Sequence, residues 1–271
     1  MVYKRVLDSV KYKKVSRTLK KIISKNFLNN KKFYPNNIDR VYHYHIRKSG
    51  GTSINSIFWE LAGYNSLSSV NTEPILIGNH KSIVRIDKKL IESGDYFYAS
   101  SHFPLWSLHL KPNTFTFTIL REPYERVVSL YKYYQWVYQV DEKIAPKIDP
   151  SYYYLKKQTH LQNVSFLEFI SNLSKKHLYG ELYFYSEKML INEALINLEK
   201  VDVVFFKDNF LEIMPTLSRK LNLNFKNISR ERSFQNIIYS INDEEEKFAK
   251  NILKNEIEFY LKAKIKFNGN V

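Results

Sequence analysis

Cysteine is absent from the 271 residues, which removes disulfides, thiol nucleophiles and cysteine-ligated zinc and is compatible with a reducing compartment. Long apolar runs are also missing: none approaches the roughly 18 to 20 residues of a membrane-spanning helix. Residues 1–32 are basic and lack an apolar stretch ending in a small-residue cleavage site, so no secretory signal is read and a cytoplasmic location is expected. No internal repeat appears. His43 and His45 lie two apart on a strand and share a face, but no third ligand follows, so no metal is expected. Acidic residues are the scarcer charge, 27 Asp+Glu against 42 Lys+Arg, for a net +15. That balance implies an acidic partner: a phosphorylated cofactor, nucleic acid, an anionic glycan or a membrane surface. Hydrophobic residues at 44% and aromatics at 15% exclude global disorder, and the length suits one α/β domain.

The stretch around which the chain is organised runs from His43 to Ser53. Val41, Tyr42, Tyr44 and Ile46 suit a buried strand, and Thr52 through Leu61 reads as a helix carrying Ile54, Ile57, Phe58 and Leu61 on one face. Between them stand Arg47, Lys48, Ser49, Gly50 and Gly51. The glycines let backbone approach a ligand, Thr52 and Ser53 offer hydroxyls, and the first amides of the helix lack partners within it, so a phosphate fits there. A Walker A loop places its lysine after the glycines, whereas Lys48 precedes them. A dinucleotide fingerprint needs a third glycine, which is missing.

Residues 1–40 read as a basic, helical N-terminal extension with a broken amphipathic pattern, packed on the domain or touching an acidic membrane surface. Residues 41–271 read as a single domain. Pro74 to Gly78 is a short strand or buried loop, Asp87 to Glu92 a brief helix ending at Gly94, and Tyr96 to Ser101 a strand that ends at His102. In open α/β sheets ligands bind outside the carboxyl ends of strands, which is where His102 falls. Thr114 to Leu120 is the clearest strand. It ends at Arg121, after which Glu122, Pro123 and Glu125 open a helix. Arg121 is suited to bidentate phosphate binding, with Ser129 as a hydroxyl donor; its bland alternative is a salt bridge to Glu122 or Glu125. Tyr131 to Tyr154 is crowded with aromatics beside lysines, suited to core packing or to stacking on sugars or bases. A capping box at Ser165 opens a helix through Leu173. Further helices are expected over Ser186 to Leu198 and, after a buried strand at Val201 to Phe206, over Asn209 to Leu221. Asn222 to Asn236 is a polar loop bearing Lys226, Arg230 and Arg232, and Asn242 or Asp243 caps a terminal helix.

With both junctions in hand, the sequence resembles the sulfotransferases that use 3′-phosphoadenosine 5′-phosphosulfate (PAPS), especially the carbohydrate group that includes heparan sulfate 2-O- and 6-O-sulfotransferases. Their first motif, a strand followed by K-(S/T)-G-G-T-S and a helix, is matched by Lys48-Ser49-Gly50-Gly51-Thr52-Ser53. Their second, L-R-(D/E)-P-x-x-R-x-x-S, is matched by Leu120-Arg121-Glu122-Pro123 with Arg126 and Ser129. Two departures stand out. The family usually has a small residue or proline where Arg47 stands, and often a glutamate where this chain has Lys207-Asp208.

The resemblance implies a P-loop-like α/β three-layer sandwich with a central, mainly parallel sheet flanked by helices. It implies a sulfuryl transfer from PAPS to a hydroxyl, most simply of a carbohydrate, without metal and without nucleic acid as partner. Lys48 would sit at the bridging oxygen, Ser49, Gly50, Gly51, Thr52 and Ser53 at the 5′-phosphate, and Arg121 with Ser129 at the 3′-phosphate. His102 is the implied base, with Glu60 as the alternative. Arg47, Arg126, Arg230 and Arg232 are candidates for further cofactor or substrate contacts. The competing expectations are a non-catalytic basic module that binds nucleic acid or anionic glycan, and a nucleotide kinase, which would lack a Walker A loop here.

Overall fold

A computed structural model describes residues 34–35, 37–61, 75–77, 81–85, 87–149, 151–225 and 237–267. In chain order, β1 (Arg40–Tyr44) leads to α1 (Gly51–Leu61), then β2 (Ile75–Ile77), β3 (Lys81–Arg85), α2 (Lys88–Ser93), β4 (Tyr98–Ser101) and β5 (Thr114–Leu120). A helical stretch follows: α3 (Pro123–Gln139), α4 (Ala145–Ile148), α5 (Tyr152–Lys156), α6 (Phe166–Asn172), α7 (Lys175–Leu178), α8 (Gly180–Tyr185) and α9 (Ile191–Leu198). The chain closes with β6 (Val203–Phe206), α10 (Ile213–Leu221), α11 (Asp243–Ile252) and α12 (Lys254–Phe267).

The strands form one sheet in the order β2-β3-β4-β1-β5-β6. Pairings from β3 to β6 are all parallel, and β2 is an antiparallel edge on β3. Parallel strands covered on both faces are buried along their length, and β1, β4, β5 and β6 are, with His43, Ser100, Ser101, Thr116 and Thr118 as buried polar members among apolar neighbours. Val41, Phe117, Ile119, Val203 and Phe205 face α1 and α10 through Ile54, Phe58, Ile213 and Leu217. Their neighbours Tyr42, Tyr44, Leu120, Val204 and Phe206 pack on the other side against Leu182, Tyr185, Phe259 and Ala263. Helices therefore flank a mainly parallel sheet, the α/β sandwich expected. A third apolar cluster joins α3 to α5 and α6 through Val127, Leu130, Tyr134, Leu155, Phe166 and Phe169, so most of the aromatic middle segment is core.

The register fixes the site's geography. Tyr44 pairs with Ser101 on one side and Thr118 on the other, and Leu120 pairs with Phe206. The carboxyl ends of β4, β1, β5 and β6 thus open onto one edge.

Several elements differ from the sequence reading. The helix expected from Ser186 starts at Ile191, because Met189 has φ 56, a left-handed conformation that a helix interior does not tolerate. The helix expected from Asn209 begins as a 3-10 segment, Lys207–Glu212, with Asn209 non-helical. Pro215 lies in the first turn of α10, where its missing N–H costs nothing. The terminal helix divides at Leu253, and its start carries a capping box between Asn242 and Glu245. β3 and α8 were not anticipated. The N-terminal extension through residue 33, and residues 226–236 of the polar loop, lie outside the described residues. No helix among the described residues is long and apolar enough to cross a membrane.

Candidate active site at the strand ends

The loop after β1 has two left-handed residues, Lys48 at φ 69 and Gly50 at φ 91. Such a conformation is expensive for lysine and free for glycine, so the turn is held open by its surroundings. A Cβ on Gly51 would fall within the His45 imidazole, and one on Gly50 would approach Lys207 Nζ to 3.2 Å. Both glycines therefore keep room for cationic or aromatic side chains, and α1 starts at Gly51, so the first amides of a helix, which lack partners within it, lie next to the loop.

Lys48 Nζ sits 4.2 Å above the ring of Tyr133 on α3. Its carbonyl accepts from Arg121 Nη1 at 3.2 Å, which joins the first junction to the second. Ser49 corrects an expectation: its hydroxyl turns into the protein and donates to Glu181 Oε1 at 3.3 Å, away from the loop's mouth. Thr52 is half-buried, and Ser53 is buried.

His102 follows β4 directly. Its Nδ1 lies 2.6 Å from the carbonyl oxygen of His45. A carbonyl only accepts, so Nδ1 carries the hydrogen, and in the neutral ring Nε2 is the nitrogen with the lone pair. Behind it, the ring of His45 lies 4.6 Å from that of His102 and stacks on His43 at 5.2 Å. His43 belongs to the core: burial pushes its pKa down to about 3, and it contacts Asn55 and the Tyr98 hydroxyl. Of the two strand histidines, His45 reaches the loop and His43 does not.

Arg121 follows β5. Its amide donates to Glu181 Oε1 at 2.8 Å, and its Nε and Nη2 meet Glu125 Oε2 at 3.4 and 3.3 Å. The salt bridge to Glu125 thus exists. Glu125 is more than half exposed, however, and an exposed pair of this kind is worth only about 0 to 1 kcal/mol, so an incoming anion can displace it. Beside the pair opens a cleft of about 540 Å³ lined by Arg121, Glu125, Ser129, Lys132, Tyr124 and Tyr239. The structure brings Arg121 and Ser129 to one cleft, and adds Lys132, whose Nζ lies 4.6 Å from the Tyr239 ring.

Arg126 is a second correction. It is 1% exposed, with Nη2 3.0 Å from Glu256 Oε1 and 2.5 Å from the Leu178 carbonyl, and Nη1 3.1 Å from the His177 carbonyl. Its guanidinium is turned into the protein and held by these groups. Burial pushes the carboxyl of Glu181 up to about 8 and that of Glu256 up to about 7, against the attraction of Arg126. Arg47 is half-buried and close enough to His177 to add to the burial that lowers its pKa to about 4. The side chain of Glu60, and Arg230 and Arg232 entirely, lie outside the described residues. Among the described residues no group of three or more His, Asp or Glu is placed to hold a metal.

Sequence reasoning missed His45, Lys132, Glu181 and Lys207 as parts of this edge. Lys207 alone left a signal, standing directly after β6 as Arg121 stands after β5 and His102 after β4. Its Nζ lies 3.3 Å from the Phe210 ring centroid and leans over Gly50.

A model of the sulfotransferase family matches residues 31–264 of the chain. No curated protein sequence matches it.

Proposed function

The chain belongs to the sulfotransferase family and is therefore an enzyme that transfers a sulfuryl group; from that premise we propose that PAPS is its donor and a carbohydrate hydroxyl its acceptor. The observation that carries the donor assignment is the pairing of two anion-binding places through one bond. The glycine loop at α1 and the Arg121–Ser129 cleft are joined by Arg121 Nη1 and the Lys48 carbonyl. A nucleotide with phosphates at both ends of its ribose needs two such places, and ATP needs only one.

The residues fit the group. Half-buried Gly50 lies at a helix start with Lys207 over it, Lys48 is two residues before it, and Arg121, Ser129 and Lys132 share one cleft. When bound, PAPS would supply the activated sulfuryl group, with 3′,5′-adenosine diphosphate as the product left behind. The chain's own work is positioning, charge neutralisation and proton removal. Lys48 would neutralise negative charge that develops on the departing phosphate. The α1 amides with Thr52 and Ser53 would hold the 5′-phosphate, and Arg121 would exchange Glu125 for the 3′-phosphate. Nε2 of His102 takes the proton of the acceptor hydroxyl. The His45 carbonyl keeps the Nδ1–H tautomer and stabilises the imidazolium that forms. Support for a saccharide acceptor comes from aromatic rings outside the core: Tyr133 is half-buried under Lys48, and Tyr153 and Tyr154 are exposed.

Calorimetric titration with 3′,5′-adenosine diphosphate, with 5′-AMP and ATP as controls, tests the donor. Binding that requires the 3′-phosphate and is lost in Arg121→Ala is expected; equal affinity for 5′-AMP would overturn it. Sulfation of a phenol, with no transfer to any sugar in a broad glycan panel, would overturn the acceptor.

A further inference from the structure

We infer that Glu181 is a positioning residue that locks the two anion-binding junctions to each other without touching a ligand. The inference rests on the nucleotide reading above.

A single oxygen, Glu181 Oε1, accepts from Ser49 Oγ at 3.3 Å and from the Arg121 amide at 2.8 Å. Ser49 lies in the loop after β1, and Arg121 opens the junction after β5. Arg121 Nη1 then reaches back to the carbonyl of Lys48, the residue before Ser49. Glu181, Ser49, Lys48 and Arg121 therefore form a closed ring of contacts, so neither junction shifts alone.

The carboxylate is itself held from behind. The amide of Glu181 donates to Glu256 Oε1 at 2.9 Å, and that same oxygen pairs with Arg126. Gly180 permits the arrangement, since a Cβ there would stand 2.8 Å from Arg126 Nη1. α3, α8 and α12 thus meet at the carboxylate. A buried carboxylate is a poor way to gain stability when an apolar side chain of similar size serves as well. Its placement on both junctions gives it another use.

The groups facing Glu181 are Arg126 from α3, Glu256 from α12, Arg121 at the head of α3, and Tyr185 and Tyr260, both of which its charge perturbs. With its pKa near 8, the carboxyl is mostly protonated at neutral pH. Oε2, which has no hydrogen-bond partner among the described residues, is the natural seat of that proton, and Oε1 accepts in either state. As pH rises through about 8, ionisation puts a negative charge behind both phosphate places.

The test titrates 3′,5′-adenosine diphosphate into wild type, Glu181→Gln and Glu181→Ala from about pH 6.5 to about 9.5, with thermal unfolding alongside. Wild-type affinity should decline above about pH 8. Glu181→Gln, whose amide oxygen accepts from the same two donors, should bind within about threefold of wild type at neutral pH and show no decline. Glu181→Ala should bind about tenfold more weakly or worse throughout. The inference falls if folded Glu181→Ala binds like wild type, if Glu181→Gln loses as much as alanine, or if it keeps the wild-type decline. Should the alanine variant fail to fold, the glutamine profile decides. If wild type binds 3′,5′-adenosine diphosphate no better than 5′-AMP, the nucleotide reading fails first and takes this inference with it.

Discussion

Replacing Arg126 by methionine removes a guanidinium with 1% exposure, together with its bonds to the carbonyls of His177 and Leu178 and its ion pair with Glu256. Methionine fills most of the volume but leaves those acceptors buried. Breaking a buried pair from one side costs about 3 to 5 kcal/mol. For a domain this size each kcal/mol lowers the unfolding midpoint by about 2 to 4 °C, so a fall of roughly 6 to 20 °C is expected. The sign of the pH dependence follows from the carboxyls. Glu181 and Glu256 have folded pKa values raised from 4.5 to about 8 and about 7. These two groups therefore bind more protons in the folded state than in the unfolded one in that window, and their contribution to stability is full below about pH 4.5 and is lost as pH rises through about 7 to 8. Arg126 limits that decline by attracting the ionised forms. The variant should consequently be destabilised more at about pH 8.5 than at about pH 5.5, and Glu256→Leu added to Arg126→Met should recover part of the loss. Chemical denaturation at the two pH values measures both. A single variant that costs under about 1 kcal/mol at the higher pH, or the same at both, would refute the buried-pair account.

Turnover should fall by about 10² to 10⁴ in His102→Ala with 3′,5′-adenosine diphosphate affinity kept, as kcat and calorimetry together would record; full activity removes His102 as the base. Lys48→Ala should lose both turnover and affinity. Gly51→Ala forces a Cβ into the space of the His45 ring and should abolish nucleotide binding while a folded chain remains by circular dichroism. Lys207→Ala should weaken nucleotide binding several-fold, with a shallower salt dependence in calorimetry, if its ammonium serves the glycine loop.

What was legible in the sequence was local. The Thr114–Leu120 strand coincides with its expected bounds, and Asp87 and Ser165 cap the helices assigned to them. The two strand-to-helix junctions could be found because each is built from neighbours in the chain. The illegible parts depend on partners far apart. Glu181 is 132 residues from Ser49 and 60 from Arg121, and in sequence it is only an acid in the first turn of a helix. Arg126 fitted a motif position and was given a ligand for that reason. Its partner Glu256, 130 residues on, has no periodic signature. Met189 likewise reads as a helix former until its positive φ is seen.

A net charge of +15 does not by itself make an anion site, because acids stand beside the cations at these strand ends. What matters is how each acid is occupied. Asp208, next to Lys207, is bound by Lys264 at 2.6 Å and the Tyr260 hydroxyl at 3.1 Å, which hold its carboxyl below the usual range and turn its charge toward α12. Glu181, behind Arg121 and Ser49, is kept mostly protonated at neutral pH by burial. Glu125 is the one of these three that pairs with a site cation, and it does so from an exposed position where the pair is weak. Each carboxyl thus leaves the edge positive by a different route: another partner, a proton, or an exchangeable bond. The proton on Glu181 is lost as pH rises through about 8, whereas the carboxyl of Asp208 is held below the usual range, which is why the pH dependence of the edge's affinity for phosphate should follow Glu181 and not Asp208.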